Sequence, residues 1–167
     1  GTAVSTVTKT AIDGGYKCTC TSPTLKDGSH TISVKASDND GNAAAAKTAT
    51  FTVDTVPPTL QITAPSNNLI TNKKTVTVSG KTDDVSSKPV TVTVNGATVT
   101  VGTDGTFTKD VTLAEGANTI TIVAKDKAGK TTTVTRKVTV DTSAPVIKSV
   151  TLTPNPVACG KTFIIAV

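Results

Sequence analysis

The 167-residue chain has very few aromatic residues and neither tryptophan nor methionine. A carbohydrate-binding sandwich usually presents aromatic platforms, and a nucleic-acid surface interleaves aromatics with clustered basic residues. The net charge of +5 comes instead from lysines scattered along the chain. The composition therefore excludes nucleic acid as an expected partner and leaves open a weak attraction to anionic cell-wall polymers.

Long apolar runs are also missing. No segment approaches the roughly 20 apolar residues that cross a bilayer, and no secretory signal is present. Because Gly1 falls inside a repeated unit and methionine is absent, we interpret the chain as a window from a longer polypeptide. We therefore expect no membrane span within this window.

The three cysteines are too few for a disulfide framework. Cys18 and Cys20 are one residue apart, so on a strand both side chains point to the same face and are poorly placed to bond each other. Cys159 lies far away in sequence. We expect buried free thiols, with a bond to another chain as the alternative. Too few Cys and His residues occur in short paired spacing to form a zinc site.

Threonine and valine are abundant, and these β-branched residues favour pleated strands over helices. The chain also repeats itself, because residues 25–41 align with 113–129 and residues 51–58 align with 138–145. A repeat of this length corresponds to one small domain. We predict three units: a truncated first unit at 1–55, a complete unit at 56–142, and the opening strands of a third at 143–167.

Alternating apolar residues and turn signals predict seven or eight short strands in the complete unit, which is typical of a two-sheet sandwich. Asn95 and Gly96 fit a tight hairpin turn that requires positive φ. Glycines at matched positions of the repeat are expected to hold turns: Gly28, Gly41, Gly116 and Gly129. Side chains expected to fill the cores are Ile32, Val34, Phe51, Phe107, Ile120 and Ile122. The strands predicted by this pattern are 60–64, 74–80, 90–94, 98–101, 106–111, 119–124 and 131–141.

Three segments resemble the tandem bacterial immunoglobulin-like (Ig-like) domains of large surface-exposed and secreted proteins. They are Gly28–Gly41, its copy Gly116–Gly129, and the boundary Val53–Pro58. The resemblance implies an all-β fold of tandem Ig-like sandwiches, with two antiparallel sheets and seven to eight strands per unit. It also implies an extracellular or bacterial cell-surface location. The fold serves many roles, so the resemblance does not define a ligand.

No residue set in the sequence indicates an enzyme. His30 is the only histidine, and the aligned residue of the other unit is Asn118. An amide cannot act as a base, so we do not expect a catalytic base at this position. Glu115 is the only glutamate, and no nucleophile stands near a plausible base. Crosslinking between lysine and asparagine, known in some surface Ig-like domains, is disfavoured because these residues occur in turns and at strand ends. We predict no catalytic residues and no cofactor.

Calcium is the one metal for which the sequence offers candidates, namely Asp38, Asp40, Asp54 and Asp141. Residues 38–42 have oxygen-rich spacing, but they lack the remaining ligands of a calcium loop. The aligned segment 126–130 carries Lys127, which favours an ordinary hairpin turn. Asp54 and Asp141 stand at the boundaries between units and could join a calcium site there. Turn chemistry is favoured over calcium at these positions.

The boundaries contain almost no linker, and Pro57, Pro58 and Pro145 restrict the backbone there. We therefore expect a stiff rod in which each unit advances the chain by about 35–45 Å. The leading hypothesis is a non-enzymatic spacer or stalk in an extracellular bacterial surface protein or filament, including an adhesin.

Two alternatives remain open: an Ig-like appendage of a bacteriophage virion, and an accessory binding module of a secreted glycan-active enzyme. The expected partners are neighbouring Ig-like units of the same or an identical chain. Head-to-tail strand exchange is disfavoured, since the two incomplete units together still lack a counterpart of residues 81–95.

Overall fold

The computed structural model describes residues 7–149, 151–153, 159–160 and 164–166. All regular secondary structure within these ranges is β-strand. No helix that could cross a membrane occurs among the described residues. The all-β fold class predicted from the sequence is confirmed.

The described residues contain fourteen strands. The first four are β1 (Val7–Ile12), β2 (Gly15–Cys20), β3 (Gly28–Val34) and β4 (Lys47–Val53). The next four are β5 (Thr59–Ala64), β6 (Leu69–Thr71), β7 (Thr75–Asp83) and β8 (Thr91–Val94). Then come β9 (Ala97–Val99), β10 (Thr106–Thr112), β11 (Gly116–Lys125) and β12 (Thr131–Val140). The last two are β13 (Thr151–Thr153) and β14 (Ile164–Ala166).

Strands β5 to β12 form two sheets. One sheet has the order β10-β7-β5, and the other has the order β6-β12-β11-β8-β9. All neighbours are antiparallel except β6, which runs parallel to β12. The eight strands agree with the predicted number, and Asn95 and Gly96 form the predicted hairpin turn with φ of 47° and 81°.

The chain crosses from one sheet to the other between β5 and β6. The side chain of Arg136 on β12 stabilises this crossing by donating hydrogen bonds to the carbonyls of Ile62 (3.3 Å) and Pro65 (3.2 Å). The bonds lie where β5 ends and the chain leaves its sheet, so they satisfy backbone carbonyls at this irregular point. The sequence pattern did not predict β6, because three residues are too few to show alternation.

The core of this unit lies between the two sheets. Period-two alternation on β7, β8 and β11 sends every second side chain inward. The prediction that Phe107, Ile120 and Ile122 fill a core is confirmed, since each is at most 3% exposed. The buried apolar side chains are Val76, Val78, Val92, Val94, Val99, Phe107, Leu113, Ile120, Ile122, Ala124, Val138 and Val140.

Strands β1 to β4 form two separate hairpins, β1-β2 and β3-β4. Here the core prediction is wrong: Ile32, Val34 and Phe51 are 51%, 61% and 39% exposed. The aligned strands β11 and β12 are covered by β5, β7 and β10, whereas no second sheet among the described residues packs over the hairpins β1-β2 and β3-β4. The same absence explains the thiols of Cys18 and Cys20, which are exposed rather than buried.

Glycines hold matched turns in both units. The φ angles are 130° at Gly28 and 86° at Gly116, and 88° at Gly41 and 92° at Gly129. This region of backbone space favours glycine because it has no Cβ. The predicted turn role is confirmed for Gly41 and Gly129, whose amides close turns onto the carbonyls of Asp38 and Asp126, whereas Gly28 and Gly116 are the first residues of β3 and β11.

Candidate functional site

Three aspartates meet where the first unit joins the second. Asp54 follows β4, Asp84 follows β7, and Asp126 follows β11. One carboxylate oxygen from each residue lies within 4.8 Å of the other two. Asp84 and Asp126 are each only 5% exposed, and Asp54 is half-buried. We call these three residues the joint triad.

Two loops of the second unit position the buried pair of the triad. Oδ1 of Asp84 accepts the amides of Ser86 and Ser87, both at 2.8 Å. Ser87 then ties this loop to the next one, because its carbonyl accepts the amide of Lys127 at 3.2 Å and its hydroxyl accepts the amide of Ala128 at 2.8 Å. Hydrogen bonds of Ser86 and Ser87 therefore hold the loops of Asp84 and Asp126 together.

Asp126 and Asp54 each close a turn with one carboxylate oxygen and leave the other oxygen without a hydrogen-bond partner. Oδ1 of Asp126 accepts the amide of Lys130 at 2.8 Å, and Oδ1 of Asp54 accepts the amide of Val56 at 3.1 Å. The Oδ2 atoms of both residues are buried and have no hydrogen-bond partner. Buried polar atoms without a partner are rare and costly, so these oxygens need a counterpart.

The charge around the triad is only partly balanced by lysines. Lys88 lies beside the adjoining cleft, but its ammonium group pairs with Asp83 at 2.9 Å. The cleft is lined by Thr52, Asp54, Ser86, Ser87, Lys88, Lys127 and Ala128. The three donors are carboxylates, without thiol or imidazole, so the chemistry suits a hard cation rather than zinc or copper.

Of the four calcium candidates, the structure brings Asp54 into this cluster. Asp38 closes its own hairpin turn, where its carboxylate accepts the backbone amide and the side-chain amide of Asn42, both at 2.8 Å. The side-chain bond from Asn42 lowers the pKa of Asp38. The amide of Asp40 donates to the same carboxylate at 3.1 Å. Asp141 accepts the amide of Ser143 at 3.0 Å.

The repeat relates these candidates to the triad. Asp141 aligns with Asp54, and both accept the amide two residues further on. Asp38 aligns with Asp126, and both accept the amide four residues further on. The sequence therefore identified the boundary aspartates and the hairpin aspartate Asp38. It missed Asp84 and treated Asp126 as an ordinary turn residue. The adjacent acidic residues Asp83 and Asp84 at the end of β7 were the available signal.

A second matched pair of contacts clamps the residues that follow β4 and β12. Thr55 donates to Asp27 through its backbone amide (3.1 Å) and its hydroxyl (2.9 Å). Thr142 donates in the same way to Glu115, with both distances 2.8 Å. The amide and the hydroxyl of Thr142 lower the pKa of Glu115. Asp27 aligns with Glu115, so each of the two joints carries one such carboxylate clasp.

His30 has a structural contact that its repeat partner reproduces. Nε2 of His30 donates to the carbonyl of Lys26 at 2.7 Å, and Nδ2 of Asn118 donates to the aligned carbonyl of Ala114 at 2.8 Å. The histidine therefore does in one unit what an amide does in the other. This contact gives the ring a role in holding a loop.

Comparison with known families gives two matches along the chain. Residues 58–142 match the family described as glucodextranase, domain B, and residues 1–55 match the family described as bacterial Ig-like domain. The chain belongs to the glucodextranase domain B family. These Ig-like units confirm the resemblance seen in the sequence, and such units are generally non-catalytic modules.

One curated relative is bacillopeptidase F of Bacillus subtilis (strain 168), which is 34% identical over 140 residues. The match covers 84% of this chain but only 9% of that protein's length. Among solved structures, fibronectin(III)-like modules of Clostridium thermocellum CbhA match with 21% identity and a TM-score of 0.43, covering 82% of this chain and 78% of theirs. A tetra-tandem repeat from the extending region of a large adhesion protein matches with 28% identity and a TM-score of 0.43, covering 81% of this chain and 38% of that one.

Proposed function

We propose that this chain is a non-enzymatic spacer, in which Ig-like units keep other parts of an extracellular bacterial protein at a fixed distance. The observation that carries the proposal is the construction of the joints. Only residues 54–58 separate β4 from β5, and two of these five are prolines. A joint this short, with proline-restricted backbone, has few conformations to lose.

Contacts on both sides hold the first joint. The Asp27 clasp attaches Thr55 to the first unit, and the hydroxyl of Thr132 on β12 donates to the carbonyl of the buried Pro58. The second joint begins with the corresponding Glu115 clasp on Thr142. A flexible linker rich in glycine and serine would make no such contacts.

The spacer is tested by comparing the chain with a variant in which Thr55, Val56 and Pro57 are replaced by Gly-Ser-Gly. Small-angle X-ray scattering measures the maximum dimension and its distribution, and ¹⁵N relaxation measures whether residues of β3-β4 and β11-β12 tumble together. We expect one common tumbling time for the natural chain and separate, shorter times for the variant. Equal relaxation of the two proteins would overturn the proposal.

A second candidate is an accessory module within a secreted enzyme. It is favoured by the similarity of the chain to glucodextranase, domain B, and to bacillopeptidase F. In this case the units would bind or present a substrate such as a glucan. Affinity electrophoresis through gels containing dextran or cell-wall glycan separates the candidates, because a spacer migrates unretarded while a binding module is retarded.

A further inference from the structure

We infer that the joint triad is a binding site for one divalent cation of the calcium class, ligated by Asp54, Asp84 and Asp126. The inference concerns the joint itself and holds whether or not the chain acts as a spacer. It rests on the closeness of the three carboxylates and on the buried, unpartnered oxygen that two of them carry.

The distances fit ligands of a common ion. Calcium binds carboxylate oxygens at about 2.3–2.6 Å, so two ligands of one ion can be separated by at most about 5 Å. The three oxygens of the triad lie within 4.8 Å of one another. An ion between them would be reached by each carboxylate with little movement of its loop.

Burial and hydrogen bonding support the same conclusion. Asp126 is 95% removed from solvent, yet its Oδ2 has no partner, and Oδ2 of Asp54 is likewise buried and unpartnered. Each residue uses its other oxygen to close a turn, and this bond holds the carboxylate in place. A cation would satisfy these oxygens and offset the repulsion of three close carboxylates.

The donor chemistry favours calcium over magnesium. Calcium accepts six to eight oxygen ligands in flexible geometry, whereas magnesium requires a near-ideal octahedron at about 2.1 Å and gives up its waters reluctantly. A site assembled from three separate chain segments is more easily matched by the larger and more tolerant ion. Backbone carbonyls and water of the adjoining cleft can complete its coordination.

The ion would also connect two units. Asp54 follows the last strand of the first unit, while Asp84 and Asp126 belong to loops of the second. Cation binding would therefore fix the joint in addition to the clasp at Thr55. At the following boundary Asp141 stands at the position of Asp54.

Binding is tested with the whole 167-residue chain after removal of metal by EDTA. Isothermal titration calorimetry with Ca²⁺ and with Mg²⁺, together with native mass spectrometry, gives the affinity and the number of ions. We expect one Ca²⁺ per chain with a dissociation constant below about 1 mM, and at least tenfold weaker binding of Mg²⁺. No Ca²⁺ binding at 5 mM, or equal affinity for both ions, would contradict the assignment.

Variants locate the site. Asp84→Asn and Asp126→Asn keep an oxygen to close each turn but remove the charge, and each should weaken Ca²⁺ binding at least tenfold. Asp54→Asn tests the contribution of the first unit and lies outside the core of the second, so folding is unaffected. The matched controls Asp38→Asn and Asp141→Asn alter the aligned carboxylates and should change the affinity less than twofold. Equal losses in the controls would show nonspecific binding of the ion to acidic turns, and far-UV circular dichroism verifies the fold of every variant.

Discussion

Single glycines in this fold have the same backbone conformation but very different surroundings. Gly105 and Gly129 have φ of 82° and 92°. A Cβ built on Gly129 meets no atom within 4 Å, whereas one built on Gly105 overlaps the carbonyl oxygen of Thr82. The backbone there is closely packed because the amide of Thr82 donates to the carbonyl of Gly105 at 2.9 Å.

We expect Gly129→Ala to lower the free energy of unfolding by about 1 kcal/mol, the cost of an L-residue at positive φ. Gly105→Ala should cost a further ~1–3 kcal/mol, because the added methyl group must displace backbone. Urea denaturation followed by far-UV circular dichroism measures both. If the two variants lost the same stability, Gly105 would not be packed closely against the carbonyl of Thr82.

The carboxylate of Glu115 provides a second test at this scale. Its pKa is lowered by the amide and the hydroxyl of Thr142, so the ionised form is favoured in the folded chain. A lowered pKa stabilises the fold above the ordinary pKa of glutamate and ceases to do so as the pH falls through the folded value.

Glu115→Gln should therefore reduce the melting temperature at pH 7, and the difference from the natural chain should shrink below about pH 4.5. Thermal melts at several pH values measure this. Lys125→Gln, a charge change at the opposite end of β11, is the control and should show no such pH dependence. A difference that stayed constant down to pH 3 would rule out a clasp that depends on the ionised carboxylate.

At the scale of strands, the two copies of the repeat offer a matched comparison of burial. Ile120 on β11 is fully buried, and its counterpart Ile32 on β3 is 51% exposed. The two side chains occupy the same position of the same hairpin, and they differ in whether a second sheet covers them.

Ile120→Ala should lower the free energy of unfolding by about 2–5 kcal/mol, because it leaves a cavity between two sheets. Ile32→Ala should cost less than about 1 kcal/mol, as exposed positions usually do. Denaturant titrations of both variants give the values. A large loss for Ile32→Ala would mean that the β3-β4 hairpin is covered in solution.

The sequence predicted β7, β8 and β11 well because apolar and polar residues alternate clearly along these strands. It did not predict β6, whose three residues are placed by the crossing that Arg136 stabilises. It also missed Asp84, since three loops distant in sequence meet only after the sheets have packed. Exposure of Ile32 followed from absent neighbours, which the alternation pattern does not encode.

At the scale of the molecule, the joints decide what the chain can do. The contacts of Thr55 with Asp27 and of Thr142 with Glu115 are the same at successive boundaries, so each unit holds the start of the segment that follows its last strand in the same way. The proposed spacer and the proposed cation site both depend on this region, but separate experiments test them. Relaxation measurements test the spacer, and titration calorimetry tests the cation site.

The parallel pairing of β6 with β12 has a mechanical consequence for a chain stretched between its ends. Tension enters the second unit ahead of β5 and leaves after β12, so once β5 separates from β7 it pulls β6 and β12 past each other along their length. Hydrogen bonds loaded in this direction must break together instead of one at a time. The three residue pairs from Leu69 to Thr71 and from Val138 to Val140 would then set the force at which the unit gives way.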